Sequence, residues 1–302
     1  MAKPKQPVLG LGARGTLADT LTFQRRKGVD IARKKPVPAY TLTLPQRYQR
    51  WLYEDYIALW AQQTAAQRQA YRSSGSRLHL TGLQYFLKYH LTHLPDITAW
   101  WPLDAHAGAI TPDRSRNNYH GTVVGASRAD GRIAECLYFD GLNDYVHQPA
   151  LMPDVGTLEL WLDPINAAGV VSESFFGAST ALAFAFDCLN WDVGNTYWGW
   201  IRPGLDSRIT TPAAFPTGFF IVHLQWSKTT GVTQLYWNNA LIGQTFTLDS
   251  SIVVPLPPFI GAYNFGGAPL FYSNSSFDNI IVYNRLLDDA DRQRHLERRW
   301  PQ

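Results

Sequence analysis

Cysteine is scarce in this chain, and its scarcity excludes several classes of protein. Two cysteines among 302 residues are too few for a disulfide scaffold, and their spacing matches no zinc motif. Cys136 and Cys188 both lie inside apolar, strand-like runs. The count leaves one disulfide or two buried thiols open, and the apolar surroundings favour buried thiols.

Long apolar runs are also missing. No run approaches the ~20 residues that a membrane-spanning helix needs, so we expect no membrane partner. The opening MAKPKQPVLG has no apolar segment of the kind found in secretory signals. We therefore expect synthesis in the cytoplasm without a signal peptide.

Charge is low overall, at 17%, and unevenly distributed. Residues 1–96 contain 15 Lys and Arg against 5 Asp and Glu, a net charge of +10; residues 97–302 contain 12 against 19, a net charge of −7. A basic segment beside an acidic domain is typical of chains that contact nucleic acid or an acidic partner surface. The basic residues predicted to anchor the chain are Arg25, Arg26, Lys27, Arg33, Lys34 and Lys35.

Those basic residues favour a protein partner over nucleic acid. No aromatic side chains alternate with them, so a groove for single-stranded nucleic acid is not indicated. Docking on another protein is the prediction; a solvated arm and contact with nucleic acid are the alternatives.

The pattern of apolar residues divides the chain into three predicted parts. Residues 1–44 are rich in Gly and Pro and predict an extended basic arm or a hairpin. Residues 45–96 have helical periodicity, with a capping box at Thr64 and Gln67, a stop at Gly75 and an end at Pro95. Residues 97–302 contain short alternating runs separated by turn residues, which predict an antiparallel β-sandwich. The expected fold is therefore mainly β with a small helical bundle in front.

The β region resembles the laminin-G-like, concanavalin A-like jelly roll. The resemblance covers about 200 residues in the family's order. Its parts are an opening strand and loop at 100–123 with Asp113, Ser115, Asn117, His120 and Gly121, then LYFDGLNDYV (137–146), TLELWLDP (157–164), a central hairpin at 220–243 that turns at Trp237-Asn238-Asn239, and the closing strand and helix FDNIIVYNRLLDDADRQRH (277–295). It implies a lectin-like sandwich.

The first ~95 residues resemble structural proteins of tailed phages. The matching features are Gly12, Gly15, Thr22-Phe23, Arg33, Pro36, Gln46, Arg50, Trp60 and Thr64-x-x-Gln67-Arg68, with Tyr71 where that pattern commonly has Trp. This resemblance implies a virion protein with capsid or tail subunits as partners, a homo-oligomeric state and a place at the virion surface.

The turn in LYFDGLNDYV can be interpreted in two ways. Asp140, Asn143 and Asp144 offer oxygen ligands of the type that Ca²⁺ takes, and the resemblance places Asp278 of the closing strand near them. Alternatively, Asp140 and Asn143 shape the turn through hydrogen bonds to the backbone. The cofactor prediction is thus none, or Ca²⁺ at these four residues.

A catalytic pair of carboxylates is not evident. Related jelly-roll glucanases carry two Glu flanking an Asp on one strand, and the nearest arrangement in this sequence is Glu159 with Asp163. They stand four residues apart, about 13 Å along a strand, which is farther than either hydrolytic mechanism uses. His120, His147 and His223 are scattered in sequence. We therefore predict no enzymatic activity.

Aromatic residues are abundant, with 11 Trp in the chain. Trp191, Tyr197, Trp198 and Trp200 form a cluster in a Gly- and Asn-rich stretch. They predict either a surface for a glycan or a partner, or part of the sandwich core.

Together these features predict a phage-type virion structural protein, a capsid decoration or tail surface protein, displaying a sandwich that binds host-surface glycans. The alternative is a lectin or glycoside hydrolase of the concanavalin A-like class that is not tied to a virion.

Overall fold

The computed structural model describes residues 15–17, 21–26, 29–34, 43–104, 110–164, 173–179, 185–192, 195–202, 205–212, 215–252 and 255–298. The chain divides into two compact units, Met1–Arg47 and Tyr48–Gln302. Among the described residues, no helix is both long and apolar enough to cross a membrane.

The first unit contains a small antiparallel sheet. Its strands are β1 (Gly15–Leu17), β2 (Leu21–Arg26) and β3 (Val29–Lys34), in that order. Leu21 and Phe23 alternate with polar residues along β2, as a strand with two different faces requires. The sequence predicted either an extended arm or a hairpin for this part of the chain, and the structure has three paired strands there.

The helical periodicity of residues 45–96 is confirmed. The helices are α1 (Leu44–Gln62), α2 (Ala65–Ser76), α3 (Gly82–His93) and, near the end of the chain, α4 (Asp289–Leu296). The predicted capping box is present, since the Thr64 side chain accepts from the Gln67 amide and the Gln67 side chain accepts from the Thr64 amide. Gly75 does not stop helix α2, which ends one residue later.

The remaining strands build a sandwich of two antiparallel sheets. They are β4 (Ile97–Trp101), β5 (Ile110–Thr111), β6 (Gly121–Val124), β7 (Ser127–Asp130), β8 (Glu135–Asp140), β9 (Tyr145–His147), β10 (Val155–Pro164), β11 (Glu173–Ser179), β12 (Ala185–Asp192), β13 (Asn195–Arg202), β14 (Leu205–Asp206), β15 (Ile209–Pro212), β16 (Phe220–Ser227), β17 (Val232–Trp237), β18 (Ala240–Thr245), β19 (Phe259–Ile260), β20 (Tyr263–Phe265), β21 (Ala268–Leu270) and β22 (Asn274–Tyr283). The jelly-roll-like sandwich predicted from the sequence is confirmed.

The two sheets have different strand orders. Sheet I runs β18-β17-β16-β10-β22-β8-β7, with β4 also paired to β22. Sheet II runs β14-β13-β12-β11-β19-β9-β6-β5, with β15, β20 and β21 off this path. The hairpin between β17 and β18 turns at Asn238 and Asn239, whose φ angles of 48° and 67° confirm the predicted left-handed Asn turn.

The core lies between the sheets and is rich in aromatic rings. Trp200 packs against Phe186 and Trp226, with ring centroids 4.8 Å and 5.7 Å away. Cys136 and Cys188 are both buried thiols, as the apolar surroundings predicted.

The central strands of sheet I, β10, β16 and β22, are buried on both faces, whereas the edge strands β7 and β18 are largely exposed. In β10, Leu158, Leu160 and Leu162 point into the core, so the residues between them face outward. Glu159 and Trp161, which face outward, are nevertheless 0% and 1% exposed. Glu159 is covered by helices α1 and α4, as the next section describes, and the Arg132 guanidinium lies 5.2 Å from the centre of the Trp161 ring.

Candidate functional site

The aromatic cluster predicted from the sequence lies mostly in the core. Trp198 and Trp200 are 0% and 1% exposed and belong to the core between the sheets, so neither ring presents a surface to a glycan or partner. Tyr197 is half-buried, with the Arg208 guanidinium 4.5 Å from its ring centre. Trp191 lies on β12, and its side chain is outside the described residues. The core interpretation is therefore the correct one for the two buried tryptophans, because alternation along β13 turns both inward.

Two of the proposed calcium ligands of the 140–144 turn accept hydrogen bonds from backbone amides of the same turn. Asp140 accepts a hydrogen bond from the Leu142 amide at 2.9 Å, and Asp144 accepts one from the Asp140 amide at 3.0 Å. Gly141 has a φ of +81°, which a residue with a side chain rarely adopts. These contacts are those of a side-chain-shaped turn. Asn143 is exposed.

Asp278 does not join that turn. Strand pairing puts Asn274 opposite Asp140, so Asp278 lies four residues farther along β22, about 13 Å by strand rise. Its carboxylate accepts from the Ile133 amide at 2.6 Å. Burial, reinforced by the charge of Asp104, raises the pKa of Asp278 to about 7. The four predicted ligands therefore do not converge on one cation.

The anchoring residues lie partly on the small sheet of the first unit. Arg25 and Arg26 are in β2, and Arg33 and Lys34 are in β3. Lys27 and Lys35 lie outside the described residues. Docking through these residues stays a prediction.

The Asp-x-Ser-x-Asn motif stabilises the loop at residues 113–120 through hydrogen bonds. The Asp113 carboxylate accepts from the amides of Trp100, Ser115 and Tyr119 at 2.8–2.9 Å. The amide of Asp113 donates to Nδ1 of His120 at 2.9 Å. The acid of this motif is thus used in holding the loop against strand β4.

A buried group of charged side chains lies between sheet I and the helices. We call it the Glu159 cluster, and its members are Glu159, His223, His295, Asp55 and Arg298. Strand pairing places Glu159 directly opposite His223, with His223 Nε2 3.3 Å from Glu159 Oε2. His295 Nδ1 contacts the same oxygen at 2.5 Å.

The helices complete the cluster. Asp55 of α1 lies 3.5 Å from His295 Nε2, so His295 of α4 stands between two carboxylates. Arg298, two residues beyond α4, pairs with Asp55 and lies 3.6 Å from Glu159 Oε1. The cluster therefore joins three separate parts of the chain: strands β10 and β16, helix α1, and the C-terminal helix.

The charges of the cluster balance when His295 holds a proton. Burial alone would raise the pKa of Glu159, but His295, His223 and Arg298 outweigh burial and hold it well below its usual value. Burial and Arg298 oppose a charge on His295, yet the two carboxylates raise its pKa above the usual value. Burial lowers the pKa of His223. The two negative groups, Glu159 and Asp55, thus contact two positive groups, the protonated His295 and Arg298.

Metal binding is the other chemistry these residues offer. Glu159, His223 and His295 present one ligand atom each within 4.8 Å of one another, and zinc accepts such nitrogen and oxygen ligands. However, the 2.5 Å contact between His295 and Glu159 is a hydrogen-bond distance, shorter than two ligands of one zinc ion allow. Arg298 already supplies the compensating positive charge. The geometry therefore fits a hydrogen-bonded ion network better than a metal centre.

The sequence analysis named Glu159 and His223 separately and missed that they pair, although a signal was present. Glu159 interrupts the apolar run TLELWL, and His223 interrupts FIVHLQW. A single ionisable residue in the middle of a buried strand requires a partner, so each predicts the other. Nothing in the sequence indicated that His295 would be the third member.

A polar pocket of about 210 Å³ lies beside the cluster. Its lining residues are Trp51, Glu54, Asp55, Arg294, Glu297 and Arg298. Asp55 and Arg298 are committed to the ion network, and Arg294 also pairs with Asp55. The pocket therefore offers few groups that are not already engaged with one another.

The outer face of sheet II differs from that of sheet I, because side chains there reach solvent. We call its β5–β6–β9–β19 region the open face. Its outward residues, with Tyr272 beside them, are Ile110, Thr122, Val124, Tyr145, His147 and Phe259. Ile110 is 57% exposed, and Thr122 and His147 are also exposed. Of the two outer faces, the helices close one and leave this region of the other accessible.

Solved structures similar to this chain have the same fold. Domain 4 of AbnA, a GH43 extracellular arabinanase from Geobacillus stearothermophilus solved with arabinotriose, has a TM-score of 0.50 and 19% identity, over 67% of this chain and 98% of that domain. A botulinum neurotoxin serotype D/C binding domain has a TM-score of 0.52 and 10% identity, over 67% of this chain and 51% of that one. The binding domain of Paraclostridial Mosquitocidal Protein 1 has a TM-score of 0.50 and 13% identity, over 67% and 52%.

No protein-family model matches the chain, and no curated protein matches its sequence. The structural likenesses, all below 25% identity, establish the fold alone. That fold is a lectin-like, jelly-roll-like β-sandwich.

The Glu159 cluster generates a prediction about stability. We expect Arg298→Met to lower the free energy of unfolding by about 3–5 kcal/mol, because it leaves buried carboxylates without their partner. Urea denaturation followed by tryptophan fluorescence measures the change. The control is Arg50→Met, which removes an exposed ion pair with Glu54 and should cost less than about 1 kcal/mol. Equal effects of the two substitutions would contradict the role assigned to the cluster.

A second prediction concerns pH. The raised pKa of His295 means that its proton stabilises the fold fully below the unfolded value of about 6.5. That contribution is lost as pH rises through the higher folded pKa. We expect His295→Gln to weaken the decline of stability above pH ~6.5, measured as the urea midpoint against pH. His147→Gln, at an exposed position, should keep the wild-type decline. If the urea midpoint of the His295 variant fell with pH as steeply as that of the wild type, another group would be the cause of the decline.

Proposed function

We propose that this protein is a non-catalytic carbohydrate-binding protein whose sandwich holds a glycan on its outer surface. The observation that carries the proposal is the contrast between the two outer faces. Helices and the Glu159 cluster close the face of sheet I, whereas the open face of sheet II presents aromatic rings and hydroxyl groups. Such a mixture suits sugars, which have both apolar C–H faces and hydroxyls.

The fold supports the same function. A lectin-like sandwich is shared with the arabinanase domain that was solved with arabinotriose. The absence of catalysis is part of the proposal. Glu159, which with Asp163 is the arrangement nearest to a glucanase carboxylate pair, is fully buried and hydrogen-bonded to His295, so a substrate would not reach it.

Glycan binding and the absence of hydrolysis can be tested together. The protein should bind uncharged oligosaccharides in a glycan-array screen. The dissociation constants of the glycans that it binds are then measured by calorimetry. Incubation with each bound glycan should release no reducing ends. Binding of no glycan would refute the proposal, and cleavage of a bound glycan would refute its non-catalytic part.

A second candidate is the virion structural protein, with the sandwich displayed on a tailed-phage particle. Two observations favour it: the resemblance of the first ~95 residues to phage structural proteins, and the separate compact unit formed by Met1–Arg47. In this proposal the basic strands dock on neighbouring subunits. Weak glycan binding would then be strengthened by many copies on one particle.

The docking role predicts a charge-dependent assembly. We expect the full-length chain to form homo-oligomers, and expect Arg25→Glu, Arg26→Glu, Arg33→Glu and Lys34→Glu together to abolish them. Light scattering coupled to size-exclusion chromatography gives the mass. The matched control reverses Arg50 and Lys88, which are exposed on helices α1 and α3, and Arg77, which is exposed just after α2, and it should leave the mass unchanged. A monomeric wild-type chain, or an oligomer indifferent to the arm, would argue against this candidate.

A further inference from the structure

We propose that the open face of sheet II is the sugar-binding site and that it takes the apolar face of an uncharged sugar unit on Tyr145 and Tyr272. This inference rests on the proposed function and adds to it the residues and the class of ligand.

Strand alternation decides which side chains form the surface. Val146 is fully buried in the core, so its neighbours on β9, Tyr145 and His147, point outward. Strand pairing places Thr122 beside His147 and Val124 beside Tyr145. The exposed side chains therefore form two short rows across adjacent strands.

The aromatic rings support one another. Phe259, only 4% exposed, lies beneath the surface, with Tyr145 and His147 ring centroids 5.2 Å and 5.3 Å from it. Tyr272 lies 6.4 Å from Tyr145, and both tyrosines are half-buried. Rings held in this way lose little rotamer freedom when a ligand stacks on them.

The charge of the surface selects the ligand. Among the described residues of β5, β6, β9 and β19, none that faces outward is Lys, Arg, Asp or Glu. Asp144, at the end of the adjoining turn, is buried and bound to the Asp140 amide. Phosphate, nucleic acid and acidic sugars would find no opposing charge there, whereas a neutral sugar requires none.

Hydroxyl recognition has suitable partners in the same rows. The Thr122 hydroxyl and the His147 ring nitrogens can each donate or accept a hydrogen bond, and the two tyrosines add phenol groups. An aromatic platform bordered by neutral donors and acceptors matches a sugar ring, which has an apolar face and a polar rim. A protein partner would instead favour a larger apolar area with charged groups at its edge.

The test measures binding of arabinotriose, xylotriose, cellotriose and mannotriose to the full-length chain by calorimetry, with 3′-sialyllactose as the acidic comparison. Tyr145→Ala and Tyr272→Ala should each weaken binding of the neutral ligand about tenfold or more. Thr122→Arg should do the same while leaving the aromatic cluster in place. The matched control is Tyr53→Ala, at an exposed tyrosine of helix α1, which should bind as the wild type does. Unfolding midpoints within the wild-type range establish that each variant is folded.

The outcomes separate this inference from the proposed function. Loss of binding in the open-face variants and retention in Tyr53→Ala support the site. Wild-type binding by Tyr145→Ala and Thr122→Arg overturns the site but leaves a glycan-binding protein. A preference for 3′-sialyllactose over the neutral sugars overturns the assignment of ligand class. Binding of none of the probes by the wild-type chain overturns the assigned ligand class, whereas the proposed function itself is decided by the glycan array.

Discussion

The fully buried hydrogen bond between Glu159 and His295 is the constraint on which the arrangement of this protein depends. A carboxylate in the middle of an apolar strand is costly unless opposite charge and hydrogen bonds surround it. Here the partners come from a neighbouring strand and from two helices far apart in sequence. Because the charges must be satisfied together, the helices are held at one place on sheet I, and the face that they cover is closed to ligands.

That closure bears on the proposed function. A two-sheet sandwich has two outer faces, and a binding surface needs one that solvent can reach. Helices α1 and α4 cover sheet I at the Glu159 cluster, whereas Thr122 and His147 of the open face of sheet II reach solvent. The same division explains why the abundant tryptophans are poor guides to a binding site. Trp198 and Trp200 fill the interior, where their large apolar area contributes most to stability, while smaller aromatic residues form the surface.

The acidic residues that first suggested a cation site serve the backbone instead. Asp140 and Asp144 each accept a hydrogen bond from an amide of the turn in which they lie, as Asp113, which was no candidate ligand, does in its own loop. Carboxylates stabilise tight turns in this way because a turn leaves amide groups without partners in a sheet. A sequence pattern of Asp, Asn and Gly is compatible with both a turn and a cation site, so it cannot by itself distinguish them. The distance between Asp278 and the turn distinguishes them, because it keeps the four predicted ligands from meeting at one cation.

The sequence alone determined the class of fold, the capping box at Thr64 and the left-handed turn at Asn238 and Asn239, because each depends on residues close together in the chain. Alternation of apolar residues likewise predicted the sandwich strands and their buried cysteines. Only the tertiary structure decided which face of each sheet is covered. That outcome depends on His295 and Arg298 meeting Asp55 and Glu159 across more than one hundred residues, and local periodicity carries no information about such distant pairings. For the same reason the open face, assembled from β5, β6, β9 and β19, could not be recognised from any one segment.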